Sequence, residues 1–553
     1  MKLYKVSLLF FFIGLFSCKK NFLDETPLDF LSSSTAFVTY ADFNLAVNDL
    51  YRLNRIEFYT SDESSPFDYL YGCDIVFDGQ ANITRHTNMP ATYDPTAAMA
   101  SKHWIAFYRL IAQANVIINK APGSALTDVQ KNLVMAKASF FRALAYRSLA
   151  YLYGGVPLEL NAVTAPKTDY VRATKADVLN QCILDLKFCI ANLQVITAVQ
   201  DGEVNTLAAG HLLAEVYLAA GQYQNAADAA SVVIANPSVS LMKNRFGTRS
   251  TVTTGNVYWD LFQPGNQNRK SGNLEGLWVI QFETDVTGGA SVSTGQGGNY
   301  LLERNHAPNM GNIVTTGNKS PFLAPVSDLT GGRGIGWAIS STYFSDSIWK
   351  SDFTNDIRNA NINFARIFTA TNPASVFYGQ PISTMAPPPG VTVPSRTFYA
   401  YQTKCTTPGL HPAALFSNPA TGLLKSTAGG TYLDQYFFRL AETYLLRAEA
   451  NLKLNNIASA AADLNIVRAR SNASAVLPSN VTMDYILDER LRELGVEEKR
   501  MLTLMRTGLW FDRTSRLNPY YNDAAVKYNL WPIPQSEIER NIGAKLEQNP
   551  GYN

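Results

Sequence analysis

The sequence predicts a mainly α protein: tetratricopeptide-like helix pairs form a scaffold that carries an inserted, irregular, loop-rich lobe. Three observations predict it. First, residues 207–236, LAAGHLLAEVYLAAGQYQNAADAASVVIAN, align within residues 438–471, FRLAETYLLRAEANLKLNNIASAAADLNIVRARS. Ala214 then falls on Ala448, Gly221 on Asn455, Tyr223 on Ile457, Ala226 on Ala460 and Ala230 on Leu464. Small residues where two helices cross, with Gly or Asn where the first helix ends, match a tetratricopeptide unit. Such a unit cannot bury its apolar face alone and requires stacked neighbours. Two unrelated Ala-rich hairpins are the plainer alternative. Second, further segments with helical apolar spacing precede and follow the two copies. Third, residues 245–430 between them are dominated by Gly, Ser, Thr, Asn and Pro, in runs such as TGGASVSTGQGGNY and APPPGVTVP. A stretch this long cannot be a single loop, so it reads as a lobe.

In chain order, Lys2 and Lys5 form a basic start, and residues 6–16 are an apolar run of signal-peptide length, too short for a permanent membrane span. The run ends Leu15-Phe16-Ser17-Cys18, which resembles a bacterial lipobox. Residues 1–17 are therefore expected to be a lipoprotein signal peptide and 18–34 a tether lipidated at Cys18. Three acyl chains, at about 0.8 kcal/mol per buried methylene, would hold the chain on a membrane. Residues 35–54 read as a first helix. Residues 55–99 lose that period and mix Gly and Pro with Tyr69, Tyr71, Phe77 and Tyr93, which predicts a long aromatic ligand loop. Helices follow over 104–120 and from Asp128 to a stop at Gly154-Gly155, then over 174–193, where Thr174 and Asp177 form a capping box. Short strands are expected at 277–282 and 366–368, and one amphipathic helix over 484–505. The expected division is 35–244 as N-terminal scaffold, 245–430 as variable lobe and 431–553 as C-terminal repeat and tail.

The bulk numbers exclude several functions. At 553 residues, 46% apolar and 17% charged, this is a globular chain. A net charge of +2 leaves no electrostatic footprint for nucleic acid. With 28 Tyr and 29 Phe, rings are available both for packing and for polar ligands. The five histidines have no metalloprotease spacing, there is no CxxC, and neither a metal nor a cofactor is expected. Cys182 and Cys189, seven apart in a helical pattern, lie about 10 Å apart along one face, beyond disulfide reach. The glycines of 331–336 follow no strand, so they suit a flexible binding loop better than a nucleotide cradle. Asp488, Glu489, Glu493, Glu497 and Glu498, interleaved with Arg490, Arg492, Lys499 and Arg500, read as intrahelical ion pairs on an exposed face. Such a face does not keep one carboxyl protonated, so a glycosidase acid–base pair is not supported. Asp356 and Arg358 read as a structural ion pair.

Taken in order, CKKNFLDETP, WIAFYRLIAQANVIIN, FFRALAYRSLAYLYGGVPL, FTNDIRN, FRLAETYLLRAEA, DERLRELGVEEKRM, WPIPQSEIERN and QNPGY resemble the SusD/RagB family of outer-membrane nutrient-binding lipoproteins over nearly the whole chain. The resemblance implies a lipid anchor in the outer membrane of a member of the Bacteroidota. It also implies docking on a SusC-like TonB-dependent transporter, and non-catalytic capture of oligosaccharides or, in some members, peptides. A helical glycosidase and a pure assembly scaffold are the alternatives from other classes. The family's site lies in the loops before the Trp104 helix and in the lobe, here 67–95 and about 290–345. Sugar C–H faces stack on flat rings while hydroxyls need planar polar partners. On that chemistry the expected ligand residues are Trp337, Tyr71, Asn82, Arg85, Tyr93, Tyr300 and Arg304. Trp104 is left to the scaffold.

Overall fold

The computed structural model describes residues 37–59, 65–80, 87–282, 284–286, 289–292, 299–316, 319–324 and 327–552. Cys18 and the tether, and with them Asn82 and Arg85, lie outside the described residues. Helix α1, Tyr40–Phe58, is followed by α2, Ala98–Lys120, α3, Asp128–Leu152, and α4, Lys175–Asn192. Thr39, Thr127 and Thr174 start α1, α3 and α4 with capping boxes, each satisfying two otherwise orphaned backbone N–H groups. The repeats follow as α5, Thr206–Ala219, with α6, Tyr223–Ile234, and then α7, Leu440–Lys453, with α8, Ile457–Arg470.

The two copies are one structural unit used twice. Gly221 and Asn455, which the alignment superposes, both take positive φ, at 71° and 61°. Helix α7 packs on α6 as well as on its own partner α8, so the copies are neighbours in space although the lobe separates them in sequence. The stack runs α2, α3, α4, α5, α6, α7, α8, each packed on the one before. Close crossing requires small residues: a Cβ on Gly210 of α5 would lie 2.8 Å from Val233 of α6.

Two strands close the neck of the lobe. Strand β1 is Val76–Asp78, β2 is Gly276–Ile280, β3 is Ala338–Ser340 and β4 is Gln435–Arg439. The antiparallel β2/β4 pair joins Gln435 to Ile280 and Arg439 to Gly276, bringing the two ends of the excursion together. Trp278 of β2 is buried against Phe437, with ring centroids 4.5 Å apart. The strand expected near 366–368 is Ile367–Thr369, paired with Pro381–Ser383. After α8 the tail folds back on the first helices. Buried Trp531 donates its backbone N–H to Leu152 O, and the Asn549 amide donates to Tyr153 O and Trp531 O. Cys182 and Cys189 share the buried face of α4, where their thiols donate to Ala143 O and Ala136 O of α3.

The expected exposed helix over 484–505 is corrected twice. It is two helices, α9, Met483–Glu493, and α10, Arg500–Thr507, divided at Gly495, whose φ is +52°. A third short helix, α11, Trp510–Leu517, follows. The charges also face inward. Glu489, Glu493, Arg490, Arg492 and Arg500 are buried, and most of their partners come from other segments. Glu493 receives Arg358 at 2.9 Å, Arg439 at 2.5 Å and Arg470. Arg358 also takes Asp356 and Glu489, both at 2.7 Å. Glu275 of the lobe's neck bridges Arg439 and Arg470. Local spacing could not reveal this, because an arginine and a glutamate three residues apart look alike whether they face each other or the interior. Only Arg492–Glu489, at 2.9 Å, is an intrahelical pair of the expected kind.

Candidate functional site

The site is built on the β1/β3 ribbon. Phe77 pairs with Ile339 and Asp78 with Ala338, and the Gly79 N–H donates to Trp337 O at 2.8 Å, extending the ladder by one step. Strand side chains alternate, so Phe77, Gly79, Trp337 and Ile339 belong to one face. On that face the Tyr520 ring stacks on Phe77, with centroids 3.5 Å apart and planes 10° apart. Tyr520 is 44% exposed, so it also offers surface to solvent. Trp337 is half-buried, with the Arg304 guanidinium 5.8 Å from its ring centre. Arg396 donates from Nε and Nη2 to Ile335 O at 3.2 and 3.1 Å, and its Cγ would lie 2.9 Å from a Cβ on Gly79. The result is two ring systems flanked by guanidinium groups, an arrangement suited to the flat faces and hydroxyls of a sugar.

Two features hold this face in place. The ribbon tolerates no Cβ at Gly79, where one would lie 2.5 Å from Gly336 O and 2.7 Å from Ile339 Cδ1. Gly79→Ala is therefore expected to lower the melting midpoint, by about 1–3 kcal/mol of overpacking, and to weaken ligand binding by displacing Trp337. A melt and a titration of the same variant check both. Below the ribbon, His411 lies between Asp328 (Nδ1 to Oδ1 2.5 Å) and Glu303 (Nε2 to Oε2 2.8 Å). Glu303 also accepts the Arg333 N–H at 3.0 Å, tying down the glycine loop. In that loop Gly331, Gly332 and Gly336 all take positive φ, and a Cβ on Gly332 would strike Glu303 and His411.

Of the residues expected from sequence, Trp337 and Arg304 meet here. Tyr71, Tyr93 and Tyr300 do not reach the surface; each is at most 1% exposed. Tyr300 stacks on Phe67 (5.6 Å, 3°) and Tyr93 on Tyr528 (4.8 Å, 23°), so protein rings occupy their faces. The reason is that much of the expected aromatic loop is folded into the core. Asp74 pairs with Arg500 and Arg513, and Trp510 Nε1 and the Asn518 amide donate to Gly72 O and Cys73 O. Sequence reading missed Tyr520 and Arg396 entirely. The one local sign of Tyr520 is the turn-like NPYYND, which says nothing of Phe77.

Among the described residues, one donor set could suit a metal: His211, Glu215 and Glu442, with ligand atoms within 4.8 Å of one another. Both carboxylates already have cations, Arg147 at 3.4 Å from Glu215 and Arg490 at 2.5 Å from Glu442. The cluster is therefore an ion-paired junction between α5 and α7.

Comparison with known proteins places this architecture. Residues 409–552 match the SusD family, and residues 22–218 match a family described as "Starch-binding associating with outer membrane". The SusD-like protein P2 of Formosa agariphila is 25% identical over the full length of both chains. This chain belongs to the SusD/RagB family. The starch-binding protein SusD of Bacteroides thetaiotaomicron is 35% identical over a shorter region, 23% of this chain and 24% of that one. A solved laminarin-binding SusD-like protein superposes with a TM-score of 0.67 at 22% identity, covering 93% of this chain and all of that one, which shows the fold. Among the described residues of this SusD-like chain, no helix is long and apolar enough to cross a membrane.

Proposed function

We propose that this SusD-like protein is a cell-surface, non-catalytic lipoprotein that captures oligosaccharide on the β1/β3 face and delivers it to a SusC-like TonB-dependent outer-membrane transporter. The observation that carries the reading is the pairing of half-buried Trp337 and Arg304 with the Phe77–Tyr520 stack on one face of a rigid ribbon. Relatives described as starch-binding and laminarin-binding support glycan as the ligand class. The family description naming the outer membrane supports the location, and the lipobox ending in Cys18 supplies the anchor in this reading.

Affinity gel electrophoresis of the chain from Lys19 onward, over a panel of plant, host and microbial polysaccharides, tests it. Retardation by one glycan class is expected. In Trp337→Ala the affinity is expected to fall about tenfold or more, since a stacked ring contributes about 0.5–1.5 kcal/mol beyond its buried area. The melting midpoint should stay close to wild type because Trp337 is only half-buried. Retardation by no glycan, with retention of peptides from protein digests, would replace the sugar with a peptide ligand. Failure of a SusC-like barrel to co-purify from the native host would remove the delivery role.

A further inference from the structure

A second concavity, of about 490 Å³, lies within the inserted lobe and shares no lining residue with the β1/β3 face. Its walls come from residues 249–263, 329–330, 361–371 and 401–408. Rings and hydroxyl or amide side chains line it, and not one of its lining residues is Asp or Glu. It contains two cations, which differ in one respect. Lys404 is buried and its ammonium is committed: it donates to Glu493 O and Leu494 O and pairs with Glu497 at 3.1 Å. Arg249 makes no ion pair among the described residues. Its Nη1 donates to Gln263 Oε1 at 3.2 Å, and its guanidinium packs 4.5 Å from the Trp259 ring centre. The neighbouring carboxylate, Asp260, is already engaged by Arg245 at 2.6 Å.

Burial works against the charge on Arg249 and lowers its pKa, although Asp260 favours that charge through space. A partly desolvated guanidinium with no carboxylate in direct contact gains more from an incoming anion than one already paired. Trp259 and Phe368 are buried in the wall, the first under Arg249 and the second stacked on Tyr401, and the exposed Thr254 and Thr369 stand among the lining residues. We propose that this cavity is a second saccharide site, selective for acidic sugars, in which Arg249 receives a carboxylate or sulfate ester while the exposed Thr254 and Thr369 meet the sugar hydroxyls. The choice of a sugar rests on the glycan-binding reading above, whereas the preference for an anion rests on Arg249 alone.

Calorimetric titration of the full chain, of Trp337→Ala and of Arg249→Gln tests it with three probes: an oligogalacturonide, a sulfated galacto-oligosaccharide and its unsulfated parent. At least one acidic probe is expected to bind Trp337→Ala and to lose about tenfold or more in Arg249→Gln. The loss should shrink in Arg249→Lys, which keeps the charge, and acidic binding should weaken as salt rises. Which acidic probe responds distinguishes carboxylate from sulfate. Acidic binding unchanged in Arg249→Gln, or abolished together with neutral binding in Trp337→Ala, overturns the second site while leaving the β1/β3 reading in place. Acidic binding through Arg249 that persists in Trp337→Ala supports the second site whatever the β1/β3 face binds. Absence of binding by both acidic probes overturns the second site, while the polysaccharide panel above decides the β1/β3 reading.

Discussion

Glu493→Gln is expected to destabilise this protein by about 3–5 kcal/mol, the usual cost of removing one partner from a buried ion cluster. The glutamate accepts three arginines that arrive from the lobe, from the second strand of its neck and from the end of α8. All four side chains are fully buried, so losing the one negative charge leaves cations with too few counter-ions and an amide N–H₂ directed at other donors. The measurement is the thermal or urea midpoint. Asp512→Ala serves as control, because its i,i+4 pair with Arg516 is solvent-exposed and screened, and the midpoint should stay put. An equal drop in both variants would mean that the buried cluster has no special weight. The same cluster predicts the acid limit. Burial opposes the charge on Glu493, but Arg470, Arg439 and Arg358 outweigh it and hold its pKa well below the usual carboxylate range. Glu489 is held down in the same way, by Arg358, Arg492 and Arg468. Groups with depressed folded pKa values contribute fully above their unfolded value, near 4.3, and lose that contribution as pH falls through the folded one. Unfolding is therefore expected to set in below about pH 4.

His411 is expected to make the protein less stable on the alkaline side. Burial disfavours its charge, yet Glu303 and the hydrogen bond to Asp328 outweigh burial and raise its pKa to about 10. With an unfolded value near 6.5, its contribution is complete below pH 6.5 and is lost as pH rises through about 10. Lys404 and Lys499, pushed down by burial to about 8 and about 7, act in the opposite direction over part of the same range. The quantity to read is thus the midpoint difference between wild type and His411→Gln. It should be largest at pH 6 and shrink toward pH 10. A constant difference would show that His411 acts by shape alone. Because Glu303 also anchors the Arg333 N–H, His411→Gln is expected to weaken glycan binding at pH 6 as well.

How much of this was legible without coordinates follows from what each signal depends on. The helix start at Thr174, the paired turns at Gly221 and Asn455, and the strand at 276–280 are local events, set by residues within a few positions, whereas the first helix, expected over 35–54, runs over Tyr40–Phe58. The mainly helical repeat scaffold was accordingly readable from spacing alone. The tertiary structure decided which way the side chains face. Tyr71, Tyr93 and Tyr300 satisfy every chemical requirement for stacking on a sugar, and packing against distant rings puts them in the core. Tyr520 reaches the face through contact with Phe77, a partner far away in sequence that no periodicity connects. The charges of α9 and α10 have a pattern that fits an exposed helix, and only the arrival of Arg358, Arg439 and Arg470 makes their burial affordable. Residue type and spacing determined the scaffold and the class of chemistry. Which rings and charges remain free to act was decided by long-range packing, because a side chain's exposure depends on neighbours that the local sequence does not contain.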